Sequence, residues 1–457
     1  MTEPLFAHQQ HSIKFQRTHD RVFDMSEPGT GKTRVVIEDF AHRRSKGAGP
    51  MLVFAPKSLL YSAWGKDIKT FAPHLSVSIA YAENRAKAFA VDADVYITNH
   101  DAVKWVIGHS SLLKRFANGL LVCDESTAFK HRTSQRSKAI SHIAKYFTVR
   151  RMLSGSPTTN GICDIWHQMY LIDDGKRLGI DFFRFRSACC TPKQVGPNIN
   201  MVEWTDRPDA EAAVAMLIND VVIRHKFEDC VDIPENYQYS VSYKLPPKLF
   251  KQYKQLERDS ILKLSEMKHV SAINAAVLSG KLLQVCSGAI YGNDGNANVL
   301  DVGRYELTMD IAEERRHSIV FFYWRHQRDA LIVEAKRRGL TYAVLDGTVT
   351  RKGEREEITR LYEAGFYRCL FAHPKSAAHG LTLIKGTATI WPDPTSNLEW
   401  YLQGLKRIHR IGQTEKTETI VVVSPDTIEE SVFESLMAKD GKMSRLMSYL
   451  KPEKKRV

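Results

Sequence analysis

The sequence predicts an α/β protein of two tandem lobes, each built on a parallel sheet, with a helical insertion between them. Three observations carry this prediction. Residues 1 to 170 alternate β-rich apolar runs with helical patterns; the runs are VFDM at 22–25, MLVFAP at 51–56, VYITNH at 95–100, LLVCDE at 120–125 and RMLSGSP at 151–157. Near-continuous apolar runs alternating with helices are how the buried strands of a parallel sheet read. The rhythm returns in SIVFFYW at 318–324, YAVLDG at 342–347, CLFAHP at 369–374, ATIWPD at 388–393 and ETIVVVSP at 418–425. Between the two sets, the stretches LFKQYKQLERDSILKLSEM and VSAINAAVLSGKLLQVC are apolar at helical spacing. The expected division is therefore a first lobe over 1–170, a helical insertion and linker over 171–300, and a second lobe over 301–457. The last of these closes with the amphipathic segment TIEESVFESLMAK and a basic tail.

A chain of 457 residues exceeds what one core ordinarily supports. With 43% hydrophobic and 26% charged residues, it is not a disordered or collagen-like chain. Its 65 Lys and Arg outnumber 52 Asp and Glu, and the resulting net charge of +13 favours a polyanionic partner. The 7 Cys are an odd number without a CxxC pair, so neither a disulfide framework nor a zinc site is expected. The N-terminus has no signal-peptide apolar region, and no apolar stretch reaches the roughly 18 residues of a membrane span. The expectation is a cytoplasmic protein, bacterial or in a virus-infected host cell, with no membrane partner.

Directly after the first apolar run comes SEPGTGKT, opening onto the helical pattern RVVIEDF. Strand, glycine loop and helix in this order make a phosphate cradle. Glycines let backbone N–H groups approach phosphate oxygens, and the helix N-terminus adds partial positive charge. Glu27, Pro28, Gly29, Thr30, Gly31, Lys32 and Thr33 are the candidate ATP-binding residues. Lys32 would reach the β- and γ-phosphates, and the Thr33 hydroxyl would ligate Mg²⁺. Ser26 stands where the strict form of this loop has its first glycine.

The second half of such a site is an acidic pair at a strand end, which LLVCDEST supplies. Asp124 would hold Mg²⁺ through water. Glu125, turned away from Asp124 by strand alternation, would orient and deprotonate the attacking water.

These residues together resemble the Swi/Snf-type ATPases of helicase superfamily two, whose motor has two RecA-like lobes. The likeness runs through nearly the whole chain. LFAHQ is similar to the family's adenine-sensing motif, with Gln9 as its glutamine, and SEPGTGKT to motif I. VFAPKSLLYSAW, with Trp64, resembles motif Ia; YITNHD resembles motif Ib and DEST motif II. SGSPTTNGICDIW resembles motif III, which implies a coupling role for Ser154, Gly155 and Ser156. In the second lobe SIVFFYW is similar to motif IV and AAHGLTL to motif V, where Gly380 joins the coupling set. LQGLKRIHRIGQ is similar to motif VI, which places Gln403 at the ATP site. Arg407 and Arg410, three apart and expected on one helix face, become catalytic arginines that neutralise charge on the transferred phosphoryl group. Thr127 stands where this family often has histidine, which leaves open any link from that side chain to motif III.

The resemblance implies double-stranded DNA as the track, with ATP and Mg²⁺ as cofactors. Candidate DNA contacts are Lys57, Thr98, Asn99, Arg325, Ser376 and His379. The expected activity is DNA-stimulated ATP hydrolysis coupled to translocation on duplex DNA by a monomeric motor, which would remodel DNA-bound protein cargo or reanneal strands. Two alternatives stay open: a strand-separating DNA or RNA helicase, and a non-catalytic DNA-binding scaffold. The first shares the ATP chemistry. The second is opposed by the joint presence of Lys32, Thr33, Asp124, Glu125, Arg407 and Arg410.

Overall fold

The computed structural model describes residues 4–194, 202–266, 272–292, 294–349, 351, 353–377 and 381–450. Two compact units make up the chain: Met1–Pro192 with Trp204–Asp232 and Lys439–Val457, and Lys193–Glu203 with Ile233–Ala438.

The first unit is organised on a seven-stranded parallel sheet. Its strands in chain order are β1 (Arg21–Asp24), β2 (Met51–Ala55), β3 (Val77–Ala80), β4 (Val95–Asn99), β5 (Leu120–Asp124), β6 (Val149–Leu153) and the short Val222–Ile223. They lie in the order β3-β4-β2-β5-β6-β1 with Val222–Ile223 outermost beside β1. The central strands β2 and β5 are buried at every position, which is why they read as unbroken apolar runs. Their cover on one side includes Val36, Ile37 and Phe40 of helix α2 (Lys32–Ser45). β3 escaped the sequence reading because this edge strand is short and alternates half-buried with buried positions. Val222–Ile223 belongs to the segment read as a helical insertion, yet it pairs in parallel with Phe23 and Asp24.

β6 carries two adjacent arginines in a core strand, and both are buried. Neighbouring strand residues point to opposite faces, so each guanidinium serves one layer. Arg151 donates to Gln16 O at 2.7 Å in helix α1 (Ala7–Thr18) and pairs with Asp39 of α2 at 2.9 Å, both partners fully buried. Arg150 donates to Leu171 O at 3.0 Å and pairs with Asp174 at 2.8 Å, at the end of the helix Asp164–Asp173.

The second unit has a six-stranded parallel sheet in the order Asn236–Ser242, Thr417–Val423, Ala388–Trp391, Ser318–Phe321, Cys369–Ala372, Tyr342–Leu345. Five of these are the late runs of the sequence. The sixth, Asn236–Ser242, is a polar, mostly exposed edge strand. Val320, Phe371, Ile390 and Ile420 form the core with Leu331 and Ala335 of the helix Arg325–Arg337. Arg304 is fully buried here, paired with Glu429 at 2.9 Å and donating to Pro392 O at 2.7 Å. The helical stretches read between the lobes form the helices Pro247–Glu266 and Ala272–Cys286, and the C-terminal pattern forms the helix Ile428–Tyr449. Among the described residues no helix is long and apolar enough to cross a membrane.

Candidate active site

The glycine loop leaves β1 and enters α2 through Gly31, whose φ of +80° makes it a left-handed N-cap that offers no side chain to the first-turn amides. A Cβ at this position would lie 2.2 Å from Gln9 Nε2, so both the backbone conformation and the space demand glycine. Gln9 is buried; its Oε1 accepts from Phe6 N at 3.1 Å and its Nε2 donates to Thr30 O at 3.4 Å. It therefore ties the start of α1 to the loop. Lys32 Nζ donates to Ser26 O at 2.6 Å and to Glu27 O at 3.1 Å, while the Thr30 hydroxyl donates to Glu27 O at 2.8 Å.

The loop is held on its other side by residues that the sequence reading gave no role. Met25 N donates to Ile223 O at 2.8 Å and Glu27 N to His225 O at 3.0 Å. His225 N in turn donates to Ser26 Oγ at 3.1 Å, and Phe227 N to Glu27 Oε2 at 3.3 Å. The serine that departs from the usual glycine thus has a structural use: its hydroxyl accepts a backbone amide 199 residues away in sequence. This partner lies in the segment IRHKFEDC that follows Val222. His225 packs against His8 and His11, with ring centroids 5.5 and 5.4 Å away; burial first, then these neighbours, push its pKa down to about 4.

Asp124 ends β5 and is buried. Its Oδ2 accepts from Trp64 Nε1 at 2.9 Å and its Oδ1 from Glu125 N at 3.0 Å. Burial raises its pKa against the opposing Trp64 hydrogen bond and the charge of Lys32. Asp24, at the end of β1, is raised by burial too and feels the same ammonium. Lys32 therefore sits in the field of two buried carboxylates. Glu125 corrects the sequence reading: strand alternation does not set its direction, because the strand ends at Asp124 and Glu125 takes φ +48° in the left-handed region. The acidic pair diverges because the backbone turns. Thr33, in the first turn of α2, is half-buried. Hydroxyl and carboxylate oxygens are the hard donors that suit Mg²⁺, a cation usually held by one or two carboxylates plus substrate phosphates. Among the described residues no cluster of three or more His, Cys, Asp or Glu could hold a metal ion by itself.

The loop 154–157 follows β6. Ser154 N continues the sheet to Asp24 O at 3.1 Å, and Ser154 Oγ accepts from Ser156 N at 3.2 Å. Gly155 lies so close to the phosphate loop that a Cβ there would sit 2.5 Å from Pro28 Cδ. Ser126 Oγ donates to Gln168 Oε1 at 2.7 Å, and Gln168 Nε2 donates to Pro157 O at 2.8 Å. A link between the acidic segment and 154–157 thus starts at Ser126, one residue before Thr127.

In the second unit the structure corrects the helix assigned to the two arginines. The helix Leu398–Leu405 ends before them, and Arg407 and Arg410 occupy the turn that follows. The two are nevertheless brought together, since Nη1 of each donates to Leu381 O at 3.0 Å. Arg407 Nε also donates to Gln403 O at 2.8 Å. Gln403 is buried, with Nε2 on Glu399 at 3.3 Å.

The described DNA-contact candidates differ in exposure. Lys57 and Arg325 are exposed. Asn99 is partly buried and accepts from Arg85 at 3.0 Å. Thr98 is 0% exposed with its hydroxyl donated to Ala80 O at 2.9 Å; a side chain spent inside the sheet cannot reach an external backbone, so it leaves the set. Ser376 is half-buried and its carbonyl accepts from Arg355. His379 and Gly380 lie outside the described residues.

Comparison with known proteins adds the following. The SNF2-related domain matches residues 8–287, and the helicase conserved C-terminal domain matches residues 303–412. Protein p41 of Acyrthosiphon pisum secondary endosymbiont phage 1 is 26% identical over 445 residues, covering 93% of each chain. Nuclear protein STH1/NPS1 of Saccharomyces cerevisiae is 23% identical over 459 residues, covering 91% of this chain but 33% of its own length. The chain thus spans nearly all of the phage relative and about a third of the yeast one. The solved Sulfolobus solfataricus SWI2/SNF2 ATPase core in complex with dsDNA is 21% identical, with a TM-score of 0.45, covering 98% of this chain and 95% of that one.

Proposed function

The chain belongs to the SNF2-related domain family, and from that premise we propose that it is an ATP-driven motor that translocates on duplex DNA, remodelling bound proteins or reannealing strands. The observation that carries the hydrolase part is the convergence, within the first unit, of Lys32, Asp124, Glu125 and the 154–157 loop around one glycine loop at a helix N-terminus. Asp124 and Lys32 share a buried electrostatic field, and Gly155 packs on Pro28.

In this reading the ATP phosphates lie against the first-turn amides of α2. Lys32 exchanges its bonds to Ser26 O and Glu27 O for the β- and γ-phosphate oxygens, which it can do because those carbonyls belong to the loop itself. Thr33 and Asp124 would hold Mg²⁺, directly and through water. When bound, this ion neutralises phosphate charge and fixes the phosphate geometry. Glu125 orients the attacking water and takes its proton. Arg407 and Arg410 meet charge that grows on the γ-phosphoryl oxygens. Stabilisation of this kind is worth more in the transition state than in the ground state, so it raises kcat. Gln9 holds the start of α1 against the loop.

The track is proposed from chemistry that needs no base reading. The +13 net charge fits counterion release from a phosphate backbone, and exposed Lys57 and Arg325 are the best placed of the candidate contacts. The test is ATP-dependent displacement of a third strand from a triplex-bearing duplex, run beside unwinding of a forked duplex. Third-strand displacement without unwinding is the expected result. Robust unwinding of long duplexes would replace the translocase with a strand-separating helicase.

A further inference from the structure

We propose that Gln168 is a positioning residue that locks the acidic pair to the phosphate loop, so that its role is to hold Glu125 where hydrolysis needs it. This rests on the hydrolase reading above.

Gln168 and His167 interrupt the otherwise apolar run at 165–172, and Gln168 is fully buried. Its amide is engaged at both ends: Oε1 accepts from Ser126 Oγ at 2.7 Å, and Nε2 donates to Pro157 O at 2.8 Å and to Asp164 O at 2.9 Å. The Asp164 bond lies within the residue's own helix and would form in many contexts. The other two join segments that are not neighbours in sequence. The same helix grips the turn after the acidic pair twice more, His167 Nδ1 to Phe129 O at 2.5 Å and Asp164 to Lys130 Nζ at 3.0 Å. Its first residue also holds the far loop, since Asp164 Oδ2 accepts from Asn160 N at 2.9 Å. One helix therefore reads two loops: Asp164 bridges Lys130 and Asn160, and Gln168 bridges Ser126, next to Glu125, and Pro157, which follows Ser154 and Ser156.

Glu125 needs such a hold. A non-glycine residue in the left-handed region is strained and persists only where its surroundings over-determine it. Ser126, the next residue, is the anchor on its C-terminal side. On the other side of Gln168, Pro157 leads through Gly155 to Pro28 of the phosphate loop, at a distance that admits no side chain. The path Glu125–Ser126–Gln168–Pro157–Gly155–Pro28 is thus continuous, and it supplies from Ser126 the link that Thr127 left open in the sequence.

The experiment compares wild type, Ser126→Ala, Gln168→Leu and the double variant, measuring kcat and KM for ATP at saturating duplex DNA, direct binding of a fluorescent ATP analogue, and the thermal midpoint. A misplacement of the order of 1 Å can cost about 100-fold, so each single variant is expected to lose roughly 10- to 100-fold in kcat with KM within about threefold. The double variant should lose no more than Gln168→Leu alone, because Gln168→Leu already removes the Ser126 bond and the two effects are not additive. If Gln168→Leu fails to fold, Ser126→Ala, which deletes one hydroxyl, decides alone. A kcat within twofold of wild type in Ser126→Ala, multiplicative losses in the double variant, or a KM that rises as kcat falls overturns the lock. A wild-type protein that binds the analogue but never hydrolyses ATP overturns the hydrolase reading itself and the lock with it.

Discussion

The two units use arginine in contrasting ways. In the first, Arg150 and Arg151 are structural: buried on one core strand, they hold the helix layers on opposite faces of the sheet. In the second unit Arg304 is fully buried against Glu429, while Arg407 and Arg410 lie in a turn where Nη1 of each donates to the Leu381 carbonyl oxygen and Arg407 Nε also donates to Gln403 O. A carboxylate partner fixes a guanidinium at the expense of its charge. A carbonyl partner aligns a guanidinium without neutralising it. The catalytic role proposed for Arg407 and Arg410 sets them apart from these scaffold arginines.

The largest expected effect tests that distinction on the chemical side. Arg410→Ala should lower kcat by about 10³-fold or more while ATP binding persists, on the scale of known arginine fingers, whereas Lys32→Ala should lose both binding and turnover. Steady-state kinetics with a fluorescent-nucleotide titration would show it, and equal kcat in Arg410→Ala and wild type would place this arginine with the scaffold. Next come the structural arginines. Removing one partner of a buried ion pair costs about 3–5 kcal/mol, so Arg151→Ala and Arg304→Ala should each destabilise by that order in urea unfolding, against less than 1 kcal/mol for loss of an exposed pair such as Arg351 with Glu357.

A further prediction is a pH dependence confined to the second unit. Burial, together with the charge of Glu429, pushes the Asp393 carboxyl up to about 7 from 3.8. Between those values the folded chain keeps a proton that the unfolded chain releases, so stability falls as pH rises from about 4 to about 7 and is flat on either side. Asp393→Asn should abolish this part of the decline, read as the difference between wild-type and variant stability curves over that window. Parallel curves would show that Asp393 ionises normally.

What the sequence made legible follows physical lines. Strands buried on both faces, such as β2 and β5, announce themselves as apolar runs. Edge strands such as Val77–Ala80 and Asn236–Ser242 do not, because one side of each meets solvent and their residues are mixed. The glycine loop and acidic pair were legible because their chemistry demands particular residues close together in sequence. Their supports were not: Ser26 meets His225 and Ser126 meets Gln168 across 199 and 42 residues, and nothing local encodes those encounters. Two periodicity arguments failed at element ends. Strand alternation cannot be extended past Asp124, nor helical spacing past Leu405.

The most direct test of the central claim is ATP hydrolysis by the purified chain with no nucleic acid, single-stranded DNA, duplex DNA or RNA, using Glu125→Gln as the control. General-base catalysis typically contributes about 10²–10⁴-fold. The account predicts strong stimulation by duplex DNA in the wild type, and a loss of that order in the variant with ATP still bound. Stimulation by RNA or single strands alone, or a Glu125→Gln variant as active as wild type, would contradict it.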